Sequence, residues 1–173
     1  MVKNMGHIKS LECRECKREY TTQLSYICEE CFGPLDVTYN FSSDINRGTF
    51  ESREKTYWRY FEFLPISNRN NIVSLDAGFT PLQRANRLGK QIGGLKNLFI
   101  KNDSVNPTFS FKDRPAGVAI SRAKEVKLNA VGCASTGNLA SATAAHAAVA
   151  ELPCYIFAPC DIEHVKIAQA LAY

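Results

Sequence analysis

From residue 95 onward the chain alternates short apolar runs with longer stretches of helical composition, and no other feature of the sequence restricts the fold as much. Residues 98–101, 130–134 and 154–158 predict strands; residues 111–127, 138–150 and 162–172 predict helices. A strand, a helix and a further strand in that order require a crossover, which lays the strands parallel and covers the sheet on both faces. The expected fold class is therefore α/β, with a parallel sheet in a three-layer arrangement. The last helix reaches Tyr173 with no glycine or proline stop and no strand after it. That ending predicts a chain cut inside a longer α/β architecture.

Ahead of this region stands a second pattern. Four of the seven cysteines fall as Cys13-x-x-Cys16 and Cys28-x-x-Cys31. Two thiolates two residues apart turn inward on a tight knuckle and supply two corners of a tetrahedron; a second pair completes it, with Gly33 relieving the turn after Cys31. The spacing predicts a structural zinc at Cys13, Cys16, Cys28 and Cys31, closed to substrate because every position is taken. Two unrelated redox pairs are the competing reading. Cys133, Cys154 and Cys160 lie in or beside apolar runs and read as buried, inert thiols. Residues 19–22 and 35–40 have β composition, so residues 1–40 are expected to form a small zinc-ribbon-like segment. Residues 41–75 read as a connector with one short helix, with a turn signal at Asn46-Arg47-Gly48 and an aromatic stretch at 57–61. Residues 76–173 are expected to hold the α/β domain.

The composition narrows the function. A chain of 173 residues that is 45% hydrophobic and 22% charged is neither disordered nor collagen-like. Its apolar runs fall far below the roughly 20 residues of a membrane helix, and its start is too polar for a secretion signal, so no membrane partner and a cytoplasmic location are expected. The net charge is +4, from 21 Lys and Arg against 17 Asp and Glu. Residues 1–60 balance at nine each, so the excess, twelve against eight, lies scattered over 61–173. Scattered positive charge favours small anions and does not make the continuous stripe that nucleic acid requires.

Ligands of parallel α/β sheets sit beyond the carboxyl ends of strands, where helix N-termini present free N–H groups. Two loops hold that position. The first reads Asn106-Pro107-Thr108-Phe109-Ser110-Phe111-Lys112-Asp113-Arg114. Ser110 with Asp113 three residues on has the spacing of a capping box, which places Lys112 in the first helical turn. There the helix dipole opposes an ammonium, and Phe109 and Phe111 would desolvate it; a lysine made unstable as a cation is an amine nucleophile. A solvated lysine beside a cap accounts for the same residues without chemistry. Pro115 would forfeit a backbone bond in a helix beginning at Phe111, so the helix is expected to start one or two residues later or to be distorted. The second loop reads Ser135-Thr136-Gly137-Asn138. Two hydroxyls, a glycine that admits a close ligand, an amide and a helix N-terminus make a pocket for a carboxylate or phosphate. The plain alternative is a strand-to-helix turn capped by Ser and Asn. His7, His146 and His164 have no ligand spacing and read as surface or core-filling residues; Lys166 reads as a solvated helical lysine.

Together, NPTFSFKDR, the later CASTGN and the alanine-rich helix after it resemble the fold type II pyridoxal-phosphate enzymes, and among them most closely the threonine synthases. Asp76-Ala77-Gly78-Phe79-Thr80-Pro81-Leu82 is similar to the family's Glu-Gly-x-Thr-Pro-Leu segment. Trp58-Arg59-Tyr60 through Leu64-Pro65 resembles a stretch upstream of it, and a four-cysteine ribbon precedes some members. The resemblance implies the fold of the tryptophan synthase β-like type, incomplete here, and pyridoxal 5'-phosphate as cofactor. It implies that Lys112 holds the cofactor through its amine and afterwards shuttles protons, and that Asn138 bonds the cofactor's phenolic oxygen. Ser135, Thr136 and Gly137 would take the carboxylate of a small anionic amino-acid substrate. The implied reaction, a carbon–oxygen lyase step of threonine biosynthesis, turns O-phospho-L-homoserine and water into L-threonine and phosphate. A homodimer is left open. Cysteate synthase, a serine/threonine dehydratase and a non-catalytic zinc-ribbon remnant are the other readings.

The sequence departs from the family pattern at several places. Phe109 stands where glycine is usual, Pro115 where glycine often follows the Arg, and Asp76 and Phe79 alter the Thr-Pro-Leu segment. Leu139 follows Asn138 where many threonine synthases have a threonine that helps bind the substrate phosphate, and leucine cannot donate that bond. Gly93-Gly94 reads as a plain turn, so the family's glycine-rich cradle for the cofactor phosphate has no counterpart in these residues. The chain is thus expected to carry the lysine without a complete site.

Overall fold

A computed structural model describes residues 7–22, 25–41 and 45–173, and the chain divides into two units. One comprises the described residues up to Glu54 together with Trp58–Asn71; the other comprises Lys55–Tyr57 and Ile72–Tyr173.

The first unit is built on a three-stranded antiparallel sheet in which β1 (Ile8–Cys13) lies between β2 (Glu19–Tyr20) and β3 (Leu35–Tyr39). Leu11 faces Tyr20 on one side and Val37 on the other. β2 and β3 fall inside the runs with β composition. The central strand has no such signal, because Lys9, Ser10 and Glu12 leave it only two aliphatic residues, and its pairing rather than its composition makes it a strand. Asn46-Arg47-Gly48, in the stretch read from sequence as a connector with one short helix, opens α1 (Arg47–Glu51). The Asn46 side-chain oxygen accepts the Gly48 N–H at 2.9 Å, while Thr49 Oγ1 accepts the Asn46 N–H at 3.1 Å, a reciprocal cap of the kind that satisfies a helix start. In the same unit Arg53 forks onto Glu62 at 2.6 and 2.7 Å and holds that carboxyl below its usual range.

In the second unit β4 (Leu82–Arg84) and β5 (Phe99–Lys101) pair antiparallel around α2 (Asn86–Gln91). α3 (Asp113–Glu125), β6 (Val131–Ala134), α4 (Asn138–Val149), β7 (Cys154–Phe157) and α5 (His164–Leu171) follow. β6 and β7 pair parallel across α4, the crossover that the alternation predicts. The strand at 98–101 forms, but it takes β4 as an antiparallel partner rather than joining β6 and β7. A short apolar run marks a strand without naming its partner; here Ala85 N–H to Leu98 O and Asn102 N–H to Pro81 O, both 2.9 Å, extend the pairing at either end.

Residues Ala140 to Ala147 of α4 are all buried, so small side chains let neighbours approach the helix from every side. Val73, Ile120 and Ala147 form the core with Val131, Ala150, Leu152 and Cys154 packed against them. Burying Ile120 alone contributes roughly 2 kcal/mol. Ser121 crosses this core polar but satisfied: its hydroxyl donates to Gly117 O at 2.7 Å and accepts the Val73 N–H at 2.8 Å. Cys133 is buried and Cys154 half-buried, as their apolar runs predict; Cys160 is exposed, because it lies in the turn after β7 rather than in the strand. No helix among the described residues is long and apolar enough to cross a membrane.

Candidate functional site

The four knuckle cysteines converge. Their sulfur atoms all lie within 4.8 Å of one another, with Cys13 Sγ to Cys31 Sγ at 3.5 Å and Cys16 Sγ to Cys28 Sγ at 3.4 Å. The two knuckles share one construction. In the first, Cys13 N–H donates to Arg18 O at 2.8 Å and Lys17 N–H to Cys13 O at 3.1 Å; in the second, Cys28 N–H donates to Gly33 O at 2.8 Å and Phe32 N–H to Cys28 O at 3.0 Å. The left-handed position falls on Lys17 and Phe32, at φ +63° and +58°, so the turn is not relieved at Gly33. Gly33 is needed for space: a β-carbon there would stand 3.0 Å from Cys13 Sγ and 2.8 Å from Glu15 Cγ. Tyr20, absent from the sequence-derived site, accepts the Glu29 N–H at 3.0 Å and lies 3.0 Å from Cys28 Sγ. Its hydroxyl holds the Cys28 thiol down at about 6, which favours the thiolate a metal needs.

Lys112 stands at the mouth of α3, as its N-cap residue, with φ −65° and ψ −16°. Because the helix begins at Asp113, Pro115 is its third residue, where no N–H partner is required, and the expected conflict disappears. The Ser110–Asp113 capping box does not form. Ser110 Oγ accepts the Lys112 N–H at 3.2 Å, while the Asp113 carboxylate turns back to Thr108, accepting its N–H at 2.9 Å and its hydroxyl at 3.0 Å. Phe109 sits at φ +61°, which gives the family's usual glycine here a physical reason. Phe109 is 72% exposed and Phe111 is exposed as well, so neither ring buries the lysine; the Lys112 Nζ lies over the Phe111 ring, 4.5 Å from its centroid. Among the described residues that ring is the sole partner of Nζ.

An ion-pair network that sequence reasoning missed ties this loop to the Thr-Pro-Leu segment. Arg114 forks onto Asp103 at 2.8 and 2.9 Å, and the Thr80 hydroxyl donates to the same carboxylate at 2.7 Å. The Arg114 guanidinium, with Thr80 beside it, holds the Asp103 carboxyl at about 2. Lys101 Nζ donates to Thr80 O, and the buried Asn106 accepts the Gly78 N–H at 2.9 Å through its side-chain oxygen. Thr80, Asn106 and Arg114 lie within the two family-like runs, so the resemblance marked the residues but not their contacts.

Ser135-Thr136-Gly137-Asn138 forms the mouth of α4. Gly137 is the N-cap, Asn138 the first helical residue, and no side chain caps the helix, so the reading of a turn capped by Ser and Asn does not hold. Ser135 Oγ accepts the Gly137 N–H at 3.4 Å. Gly137 and Asn138 are exposed, and a β-carbon at Gly137 would meet no atom within 4 Å. The Asn138 amide is thus uncommitted among the described residues. α3 and α4, which carry the two mouths, pack against each other at Asp113, Gly117 and His146. His146 is fully buried in this contact; His164 is exposed, and Lys166 is exposed with Glu163 at 3.5 Å.

Residues 73–173 match the family model described as pyridoxal-phosphate dependent enzyme. The chain belongs to that family. It is 39% identical over 166 residues to the threonine synthase of Methanocaldococcus jannaschii, covering 93% of this chain and 40% of that one. The threonine synthase of Methanosarcina acetivorans is 38% identical over 166 residues, with 94% and 40% covered. That of Synechocystis is 44% identical over 115 residues, with 66% and 30% covered. The chain therefore spans about two-fifths of the length of the first two relatives it matches. The family's cofactor fits the residues present: among the described residues, a lysine amine has no carboxylate partner at one helix mouth, and an amide is uncommitted beside an open glycine at the other.

Proposed function

We propose that this chain is the part of a threonine synthase that carries the cofactor lysine, Lys112, and the substrate-carboxylate turn, Ser135–Thr136–Gly137, in a cytoplasmic biosynthetic enzyme. The observation that carries the reading is Lys112 Nζ, which has no carboxylate partner among the described residues, at the start of α3 on a loop of family-like sequence. When bound, pyridoxal 5'-phosphate supplies an electron sink for charge developed on the substrate. Lys112 would hold the cofactor through its amine, and the same amine would take a proton first from the substrate α-carbon and then from the β-carbon. Phosphate leaves the γ-carbon and water adds at the β-carbon, converting O-phospho-L-homoserine to L-threonine. The Ser135 and Thr136 hydroxyls and the N–H groups around Gly137 bind the carboxylate at the positive end of α4. The Asn138 amide donates to the cofactor's phenolic oxygen. The Leu139 side chain offers no hydrogen bond to a substrate phosphate, so on this reading no hydroxyl holds that group at this position.

The same reading assigns a structural zinc to Cys13, Cys16, Cys28 and Cys31. Tetrahedral Zn–S bonds of about 2.3 Å place sulfurs about 3.8 Å apart. The four sulfurs, all within 4.8 Å, match that spacing, and a site with four thiolates has no position left for substrate.

Mixing the chain with millimolar pyridoxal 5'-phosphate should give a visible absorption band that borohydride fixes onto the Lys112 peptide. The Lys112→Ala variant should lose it, and a label confined to other lysines would overturn the assignment. Offered phosphohomoserine, phosphoserine with sulfite, or threonine, the protein continued past Tyr173 should release phosphate from the first alone; turnover of either other substrate instead would indicate a cysteate synthase or a dehydratase.

A further inference from the structure

Asp113 directly follows Lys112 and is fully buried, and nothing in the proposed chemistry uses it. A buried carboxylate is costly unless its oxygens are satisfied. Here Oδ2 accepts the Thr108 N–H and Oδ1 the Thr108 hydroxyl, closing a ring across the intervening loop. That ring encloses Phe109 in the left-handed region, a conformation that a bulky exposed residue keeps only when its surroundings impose it.

The clamp is braced from behind. Asp113 Oδ1 lies 3.8 Å from Nδ1 of His146, which is also fully buried. Nδ1 stands 2.9 Å from Ala142 O, and a carbonyl only accepts, so this nitrogen carries the proton. Gly117 makes room for the imidazole: a β-carbon there would stand 3.1 Å from His146 Nε2 and 2.2 Å from the Tyr57 hydroxyl. Burial, and secondarily the Asp113 charge, push the Tyr57 hydroxyl well above its usual range, which keeps it neutral beside the carboxylate.

We propose that Asp113 is the positioning residue for Lys112: holding Thr108 with both oxygens and resting on His146, it fixes the 108–112 loop and so directs the Lys112 ammonium out of the α3 mouth against Phe111. Its bearing on catalysis rests on the proposed role of Lys112, whereas the clamp itself is a property of this chain.

The Asp113→Asn variant keeps the volume but presents one acceptor and one donor group where two donors arrive, so one donor loses its partner. Thr108→Val removes the hydroxyl alone, and Thr108→Ser retains both donors. The readouts, on the full chain, are the acetylation rate of each lysine by a small succinimidyl ester, mapped by peptide mass spectrometry, and amide exchange at Thr108. Asp113→Asn should change the Lys112 rate at least about threefold relative to Lys96 and Lys166 and speed Thr108 exchange about tenfold. Thr108→Val should shift both in the same direction by less, and Thr108→Ser should behave as the unaltered chain. Unchanged Lys112 labelling in folded Asp113→Asn and Thr108→Val would overturn the proposal; if Asp113→Asn does not fold, Thr108→Val decides alone. Should pyridoxal 5'-phosphate fail to label Lys112 in the unaltered chain, the proposed function falls, while the acetylation pattern still decides the clamp.

Discussion

The cysteine knuckles and the loop into α3 meet one backbone problem by different means. Each turns sharply and leaves a residue other than glycine in the left-handed region: Lys17 and Phe32 in the knuckles, Phe109 in the loop. In the loop the closing group is already in the chain, because the Asp113 carboxylate takes both donors of Thr108. In the knuckles backbone bonds shape each turn, but what they bring together is four sulfurs, in pairs at 3.4 and 3.5 Å, and full deprotonation of all four would set like charges against one another without a cation among them. Equal local geometry is therefore not equal self-sufficiency: one turn is finished by a buried anion, the other gathers four thiols at a spacing that could hold a metal ion.

The largest effect that separates the two should come from zinc. Chelation, or Cys13→Ser or Cys28→Ser, should strip the metal and remove amide protection from β1 and the second knuckle, since structural zinc binding contributes on the order of 10 kcal/mol. Elemental analysis and hydrogen exchange measure this. Retention of stoichiometric metal in both variants would end the equivalence drawn between the knuckles. Lowering the pH should release the metal as protons compete for the thiolates, followed with a colorimetric chelator.

Next is the brace behind the loop. Gly117→Ala would force a β-carbon into the Tyr57 hydroxyl and should destabilise the second unit by about 1–3 kcal/mol in urea unfolding. An unchanged midpoint would show that the contact yields and that the loop does not depend on it.

Asp103 gives a smaller, pH-dependent effect. Its folded carboxyl titrates at about 2, below the ordinary 3.8, so it contributes stability that is fully present above about pH 5 and is lost as the pH falls from about 4 to about 2. The loss should be about 1–2 kcal/mol, and Asp103→Asn should flatten that part of the stability profile. The smallest effect tests the turns themselves. Phe109→Gly should stabilise the second unit by about 0.5–1 kcal/mol, because glycine adopts positive φ without a steric penalty. Lys17→Gly should give a similar gain in the metal-loaded first unit, measured as a shift in thermal midpoint.

Much of the fold was legible because its signals are local. The crossover β6–α4–β7 follows from two apolar runs around an alanine-rich stretch, and the cysteine spacing announces the cluster without any knowledge of what surrounds it. The start of α3 was also legible, since Pro115 fits only within the first turn. Other features were hidden because they depend on residues distant in sequence. β5 carries a strand pattern, yet its partner is β4 and not β6. Ser110 and Asp113 have the spacing of a capping box, yet Asp113 is drawn to Thr108 and His146. Asp103 bore no mark at all, because its partners Thr80 and Arg114 are brought to it by folding.

The order of residues alone sets out the chemistry on offer: a four-thiol set at metal-binding spacing, a lysine at a helix start, and a Ser-Thr-Gly-Asn mouth on the next helix. Packing settles which groups are spent internally and which are left for a ligand. It turned Asp113 inward as a clamp and left Lys112 with an aromatic ring as its partner. A residue's type and its neighbours' spacing are written along the chain, whereas burial, and with it the need for each polar atom to find a partner, exists only once distant segments have packed.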